Sequence, residues 1–257
     1  MKYSGLYFIS NPSTNLEASV NVVNTLVQGL ESSFPTASRQ APWSLQYRLF
    51  RDTVPPGHTP SLDAEGKPAP FAHTLQHMLN ISSIDPTRTY ICIQPPAGTS
   101  NICAIPLRQQ DAYALLVRHQ FAALWQPRHA EGVNNGIAYG TGLCTVQIGE
   151  LRSSREGPQS GITPSPGVLV CISTAVGDDS SDDTGDKMNG AVENGDDTLD
   201  FDYAQSIIRD CWGKIKDGRD LGRSEVREVM MAKDNVHGIK EKEATVRMWC
   251  DALRLRG

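Results

Sequence analysis

The 257-residue sequence contains no CxxC pair, no Gly-Lys-Ser or Gly-Lys-Thr, no HExxH and no Gly-x-Ser-x-Gly. These absences remove, in turn, zinc ribbons and thioredoxin-like redox sites, P-loop nucleotide enzymes, zinc-dependent proteases and serine hydrolases of the nucleophile-elbow type. No stretch approaches the roughly 20 apolar residues that span a bilayer. The opening MKYSGLYFIS has one lysine and a very short apolar run, which is not the make-up of a signal peptide. The six cysteines, at positions 92, 103, 144, 171, 211 and 250, are widely spaced and sit in apolar runs such as YICIQ, GLCTV and VLVCIS. They are expected to be buried thiols of a reducing compartment, not a disulfide frame or a zinc site. The expectation is a soluble intracellular protein, cytosolic or nuclear.

Hydrophobic residues make up only 39% of the chain, beside 16 prolines and 22 glycines, so long loops or a disordered piece are expected. Residues 178–200, DDSSDDTGDKMNGAVENGDDTLD, carry nine acids against one lysine and almost no large apolar group. Such a segment cannot bury enough surface to offset the entropy of ordering, and it reads as an acidic disordered insert. Its charge of −8 within a total of −5 leaves the remainder at +3. The late cations, including Arg209, Lys214, Arg219, Arg227 and Lys242, alternate with acids such as Asp217, Asp220, Glu225 and Glu228. Apart from Trp212, no aromatics are interleaved for stacking on bases, so this run predicts a solvated helix face and no sequence-specific nucleic-acid binding.

The apolar pattern orders the elements. Tyr3, Leu6, Tyr7, Phe8 and Ile9 form a short strand that ends at the turn signal Asn11-Pro12. Thr14 and Glu17 form a capping box, and Leu16, Val20, Val23, Val27, Leu30 and Phe34 follow at helical spacing up to Pro35. In WSLQYRLF the apolar residues Trp43, Leu45, Tyr47 and Leu49 recur at period two, a strand with one buried face. A proline-rich loop over 54–70 follows. Residues 71–79 predict a short helix, TYICIQ and NICAIP a hairpin, and 111–125 a well-buried helix. LCTVQIGEL and GVLVCISTAV form a strand pair with an irregular tip. Phe201, Ala204, Ile208, Cys211, Trp212 and Ile215 mark one helical stripe, and Val246, Trp249, Cys250 and Leu253 another. Strands arriving as hairpins with helices at separate places predict an α+β class, an antiparallel β-barrel-like sheet flanked by helices. Residues 1–177 with 201–257 would form a single domain interrupted by the insert. Trp43, Trp125, Trp212 and Trp249 are expected in its core.

Chemistry is sparse. YGTG, at residues 139–142, has a single G-x-G and is followed by a β-type run at 143–151, where a phosphate loop would need a helix amino terminus. Gly140, Gly142 and Gly149 then read as bending points of a sheet, with Gly142 placed for a bulge or to admit a neighbouring backbone. His73 and His77 stand four apart on the expected helix, but no third ligand accompanies them. His58, His119, His129 and His237 are scattered. A triphosphate-tunnel or nucleotide-binding barrel enzyme is the alternative reading. Yet the first strand holds no carboxylate, and Glu-x-Glu occurs once, as Glu241 and Glu243 at a solvated helix start. No catalytic, cofactor or metal residue is assigned, and the partner-binding residues are unlocated.

Three stretches in order, SGLYFIS, WSLQYRLFRD, and GTGLCTVQIGELRSSREG with GVLVCIS, resemble the subunit 20 family of the Mediator transcriptional coactivator in its fungal form. The closing VRMWCDALRLRG is similar to the ending of fungal members. The resemblance implies a non-enzymatic subunit of the Mediator head module, in the nucleus, built as an antiparallel barrel flanked by helices. It would pair with subunit 18, be tethered through subunit 8, and link regulators to RNA polymerase II and its general factors. A contact with TATA-binding protein is proposed for the family. The acidic insert and the proline-rich loop depart from the family's compact form.

Overall fold

The computed structural model describes residues 2–11, 16–60, 62, 65–154, 165–175, 196–232 and 239–254. In chain order the elements are β1 (Lys2–Ser10), α1 (Leu16–Ser33), β2 (Ser38–Arg39), β3 (Trp43–Asp52), β4 (Leu75–Ile81), β5 (Arg88–Gln94) and β6 (Asn101–Pro106). A 3-10 turn (Leu107–Gln109), α2 (Gln110–Leu115) and a π-helical turn (Leu116–Gln120) follow. Then come β7 (Trp125–Gly140), β8 (Cys144–Ser153), β9 (Gly167–Ala175), α3 (Asp196–Lys216), β10 (Val226–Met230) and α4 (Ile239–Arg254). The class is α+β, with helices flanking an antiparallel sheet whose strand order is β10-β1-β9-β8-β7-β3-β4-β5-β6, β2 lying beside β7. The sheet is open, with β10 and β6 as its ends, so the expected barrel closure does not occur. The described chain groups into two compact units, Met1–Pro42 with Asn135–Glu150 and Ser165–Ala252, and Trp43–Asn134 with Leu151–Pro164 and Leu253–Gly257.

In the first unit, β1 is buried at every position from Tyr3 to Ile9, and β9 is buried over eight residues. Neither alternates, because both faces of these central strands are covered. β1 pairs with β9 through Leu6 opposite Cys171 and with β10 through Leu6 opposite Val229. The stripe of α3 settles on β1 and β9, with Ala204, Ile208, Cys211, Trp212 and Ile215 all buried. Trp212 stacks on Tyr7 at 4.5 Å between ring centroids and 14° between planes. α1 packs against α3 so closely that a Cβ on Gly29 would fall on the Ile215 carbonyl oxygen. Only a residue without a side chain permits that approach. The capping box at Thr14 lies outside the described residues, as does the acidic segment except for residues 196–200, which begin α3.

The second unit is an antiparallel meander. Leu49 of β3 stands opposite His77 of β4, His77 opposite Cys92 of β5, and Cys92 opposite Ile102 of β6. Residues 71–79 are therefore not a helix. The apparent helical spacing of Leu75, Met78 and Leu79 is overridden by two strands that pair with this segment and bury Gln76–Ile81 on both faces. One face of the meander carries Phe50, Met78 and Ile91 beneath Ala114 and Val117 of the helical turns. Gln110 is held there as well, accepting from Thr89 at 2.7 Å and donating to Gln46 at 2.6 Å. The helix expected over 111–125 is shorter than anticipated and mostly exposed: it loses helical form after Gln120, and Trp125 opens β7. Its alanines and leucines ring the whole helix, but only the side bearing Ala114 and Val117 meets the sheet. β7 itself, WQPRHAEGVNNGIAYG, carries no strand pattern, and its extended form comes from pairing with neighbours.

Candidate functional site

Strand alternation puts Gln46, Arg48 and Phe50 of β3 on the face that α2 covers. Arg48 reaches Asp111 at the start of α2, its Nη2 donating to Oδ1 at 3.0 Å. Asp111 is 80% exposed, so the pair fixes geometry more than it adds stability. In the next turn the Phe121 N–H donates to the Leu116 carbonyl at 3.2 Å, five residues back. That π-helical spacing accommodates one more residue per turn and keeps Val117 on the core while Arg118 stays at the surface. Between this turn and β7 lies a cleft of about 360 Å³ with a floor of Leu49, Phe50, Ala114, Leu115 and Pro127. Arg48, Arg118, Arg128, His129 and Asp111 stand around it. A second cleft of about 530 Å³ adjoins it through the shared residues Arg48, Asp111, Ala130 and Ser154, and adds Glu131 and Arg152. Leu115 is itself half exposed, and Leu116, Phe121 and Leu124, in the turns that follow it, are exposed as well, Leu124 at 59%.

The opposite face of the meander holds a buried polar cluster. The Tyr47 hydroxyl donates to His77 Nδ1 at 2.9 Å, and His77 Nε2 donates to the Gln94 side-chain oxygen at 3.2 Å. A neutral imidazole with its proton on Nε2 satisfies both bonds. Burial holds the His77 pKa at about 4, and the charge of Arg254 and the nearby His129 add to the lowering, against the Gln94 bond. His129 and Tyr47 rings stand 5.7 Å apart. Tyr47 and His77 are buried in this cluster, which ties β3, β4 and β5 together, while Gln94 and His129 are partly exposed at its edges.

His73, placed on the same expected helix face as His77, lies just before β4 and pairs with Asp52 at 2.7 Å. The two histidines are not brought together, and no group of three metal-ligating side chains exists among the described residues. His58 packs edge-on to Phe71, and His237 lies outside the described residues. Glu241 and Glu243 sit on α4, where Glu243 pairs with Arg247 at 3.7 Å. YGTG closes β7 and turns into β8: the Thr141 N–H donates to the Cys144 carbonyl at 2.8 Å, and Gly142 adopts φ +86°. A strand, β8, follows it directly, where a phosphate loop would lead into a helix. Nothing approaches within 4 Å of a Cβ on Gly142, so a neighbouring backbone does not explain it; its left-handed φ does.

Trp43, Trp212 and Trp249 are buried as expected, whereas Trp125 is half-buried at the rim of the Phe50 cluster. All six cysteines are free thiols; five are buried, and Cys103 on the edge strand β6 is exposed, contrary to expectation. Burial pushes the Cys171 thiol up to about 11. The basic run includes β10, where Arg209 of α3 grips Glu228 at 2.9 Å.

A family model described as the TATA-binding related factor (TRF) of subunit 20 of Mediator complex matches residues 1–241. The chain belongs to the Mediator subunit 20 family. Among solved structures, a chain in the Mediator head module of Schizosaccharomyces pombe is similar over 84% of this chain and 93% of that one, with 9% identity and a TM-score of 0.37. No curated relative matches. Of the strands that resembled Mediator subunit 20 in sequence, β1 and β9 are buried along nearly their whole length, and β3 and β8 over about half of theirs. No helix among the described residues is long and apolar enough to cross a membrane.

Proposed function

We propose that this member of the Mediator subunit 20 family is a non-enzymatic subunit of the Mediator head module, acting in the nucleus through protein contacts. It pairs with subunit 18, is tethered through subunit 8, and helps link regulators to RNA polymerase II and the general factors, including TATA-binding protein. The observation that carries the reading is the family match across residues 1–241. Its physical support is the row of exposed Leu115, Leu116, Phe121 and Leu124 in the second unit, a set of large apolar side chains of the sort an interface centre uses. Co-expression with subunits 18 and 8 tests it. The expected result is a stoichiometric complex more soluble than the lone chain; a chain that stays monodisperse alone and never joins either subunit would refute it.

A further inference from the structure

The two adjoining clefts of the second unit combine features that specify an occupant. Four guanidinium groups, Arg48, Arg118, Arg128 and Arg152, stand around them against two carboxylates, Asp111 and Glu131, a local excess of positive charge in a chain whose net charge is −5. Arg118, Arg128 and Arg152 are exposed, at the rim. Arginine remains ionised at any accessible pH and presents a planar fork that matches a carboxylate. Below the rim the floor is apolar, and Leu115 on it is 54% exposed. A volume of about 360 Å³ is at the small end of ligand pockets, suited to one or two large side chains with their backbone outside.

We infer that this cleft binds an acidic peptide segment, seating one aliphatic or aromatic side chain on the floor of Leu49, Phe50, Ala114, Leu115 and Pro127 while flanking Asp or Glu residues meet Arg118, Arg128 and Arg152. The charge pattern selects acidic over basic partners. Phosphates would meet the same guanidinium forks, so what favours a peptide is the apolar floor below the rim, which offers a seat for a hydrophobic side chain; the oligouridine control separates the two. Exposed Leu116, Phe121 and Leu124 extend the apolar surface along the π-helical turn, so a second anchor a few residues away can also be covered. The inference rests on the reading of the chain as a contact-making subunit, but the two fail separately. Head-module association is read by co-purification, and the cleft is read by peptide binding to the full chain alone.

The test is fluorescence anisotropy with a labelled peptide in which Asp and Glu surround a central Phe. Its controls are the same peptide with Ser for Phe, a version with Lys for each acid, and an oligouridine of equal charge. The expected result is saturable binding of the Phe peptide that weakens with salt. It should fall about tenfold in affinity for the Ser peptide and about tenfold for the Arg118→Glu, Arg128→Glu double variant. The Lys peptide should not bind. Leu115→Asp should abolish the preference for Phe over Ser. Because Arg118 and Arg128 are exposed, these variants should melt as the parent does; if the charge reversals lower the melting temperature, Arg118→Gln with Arg128→Gln replaces them. Equal binding of the Phe and Ser peptides, equal binding by the arginine variant, or oligouridine binding as tight as the Phe peptide would each overturn the inference.

Discussion

His77 makes stability depend on pH in a calculable way. Its side chain is fully buried between β3 and β5, and its pKa is held at about 4 against an ordinary 6.5. The folded protein therefore keeps the ring neutral well below pH 6.5, whereas the unfolded chain takes up a proton there. Stability is unaffected by this group above about pH 6.5, falls as pH drops, and the loss levels off below about pH 4. The full shift corresponds to roughly 3 kcal/mol, and about 2 kcal/mol of it is lost between pH 7.5 and pH 5. Carboxylates titrate over the lower part of this range, so the measurement is a difference. Urea unfolding of the parent and of His77→Gln, at pH 7.5 and pH 5, isolates the histidine, because glutamine does not titrate and the other groups cancel. The stability of the parent relative to the variant should fall by about 2 kcal/mol on acidification. A difference that is flat with pH, or an NMR titration of the His77 ring with a midpoint near 6.5, would refute the burial argument.

Gly142→Val should lower stability by about 2 kcal/mol through strain at φ +86°, whereas Gly142→Asn should cost about 1 kcal/mol or less, and thermal melts that rank the two the other way would contradict the turn assignment. Gly29→Ala should destabilise by about 1–3 kcal/mol despite the better helix propensity of alanine, since its Cβ collides with the Ile215 carbonyl; a rise in melting temperature would show that α1 and α3 are not so close. Trp212→Ala removes the stack on Tyr7 and should cost about 3–5 kcal/mol by urea unfolding, and a loss under 1 kcal/mol would count against the packing of α3 on β1. Leu116→Ser with Leu124→Ser should leave the melting temperature within a few degrees of the parent and reduce capture of head-module subunits; a large fall in stability would mean that these side chains are core.

The helices α1, α3 and α4 were legible because each presents one apolar stripe to one surface. Val246, Trp249, Cys250 and Leu253 are buried as their spacing foretells. β3 was legible for the same reason, since its buried positions from Trp43 to Leu49 alternate. β4 was not, because burial on both faces erases the alternation and leaves Leu75, Met78 and Leu79 at distances that mimic a helix. β7 escaped because Gln126, Arg128, Asn134 and Asn135 carry no strand preference; its form is imposed by pairing with β8 and β3. The helix at 110–120 illustrates a different limit. Apolar residues on all sides suggest burial, but a subunit of an assembly carries apolar surface that is not its own core. The candidate cleft was beyond sequence reasoning, since Arg48, Arg118, Arg128 and Arg152 come from separate elements and only the folded second unit brings them together.

The most direct test of the head-module role is affinity capture of the tagged chain from nuclear extract of its own organism, with quantitative mass spectrometry of what accompanies it. The account predicts subunits 18 and 8 in amounts equal to the tagged chain, with the remaining head-module subunits alongside. Recovery of the chain free of every Mediator subunit, from extract in which the complex is intact, would contradict it.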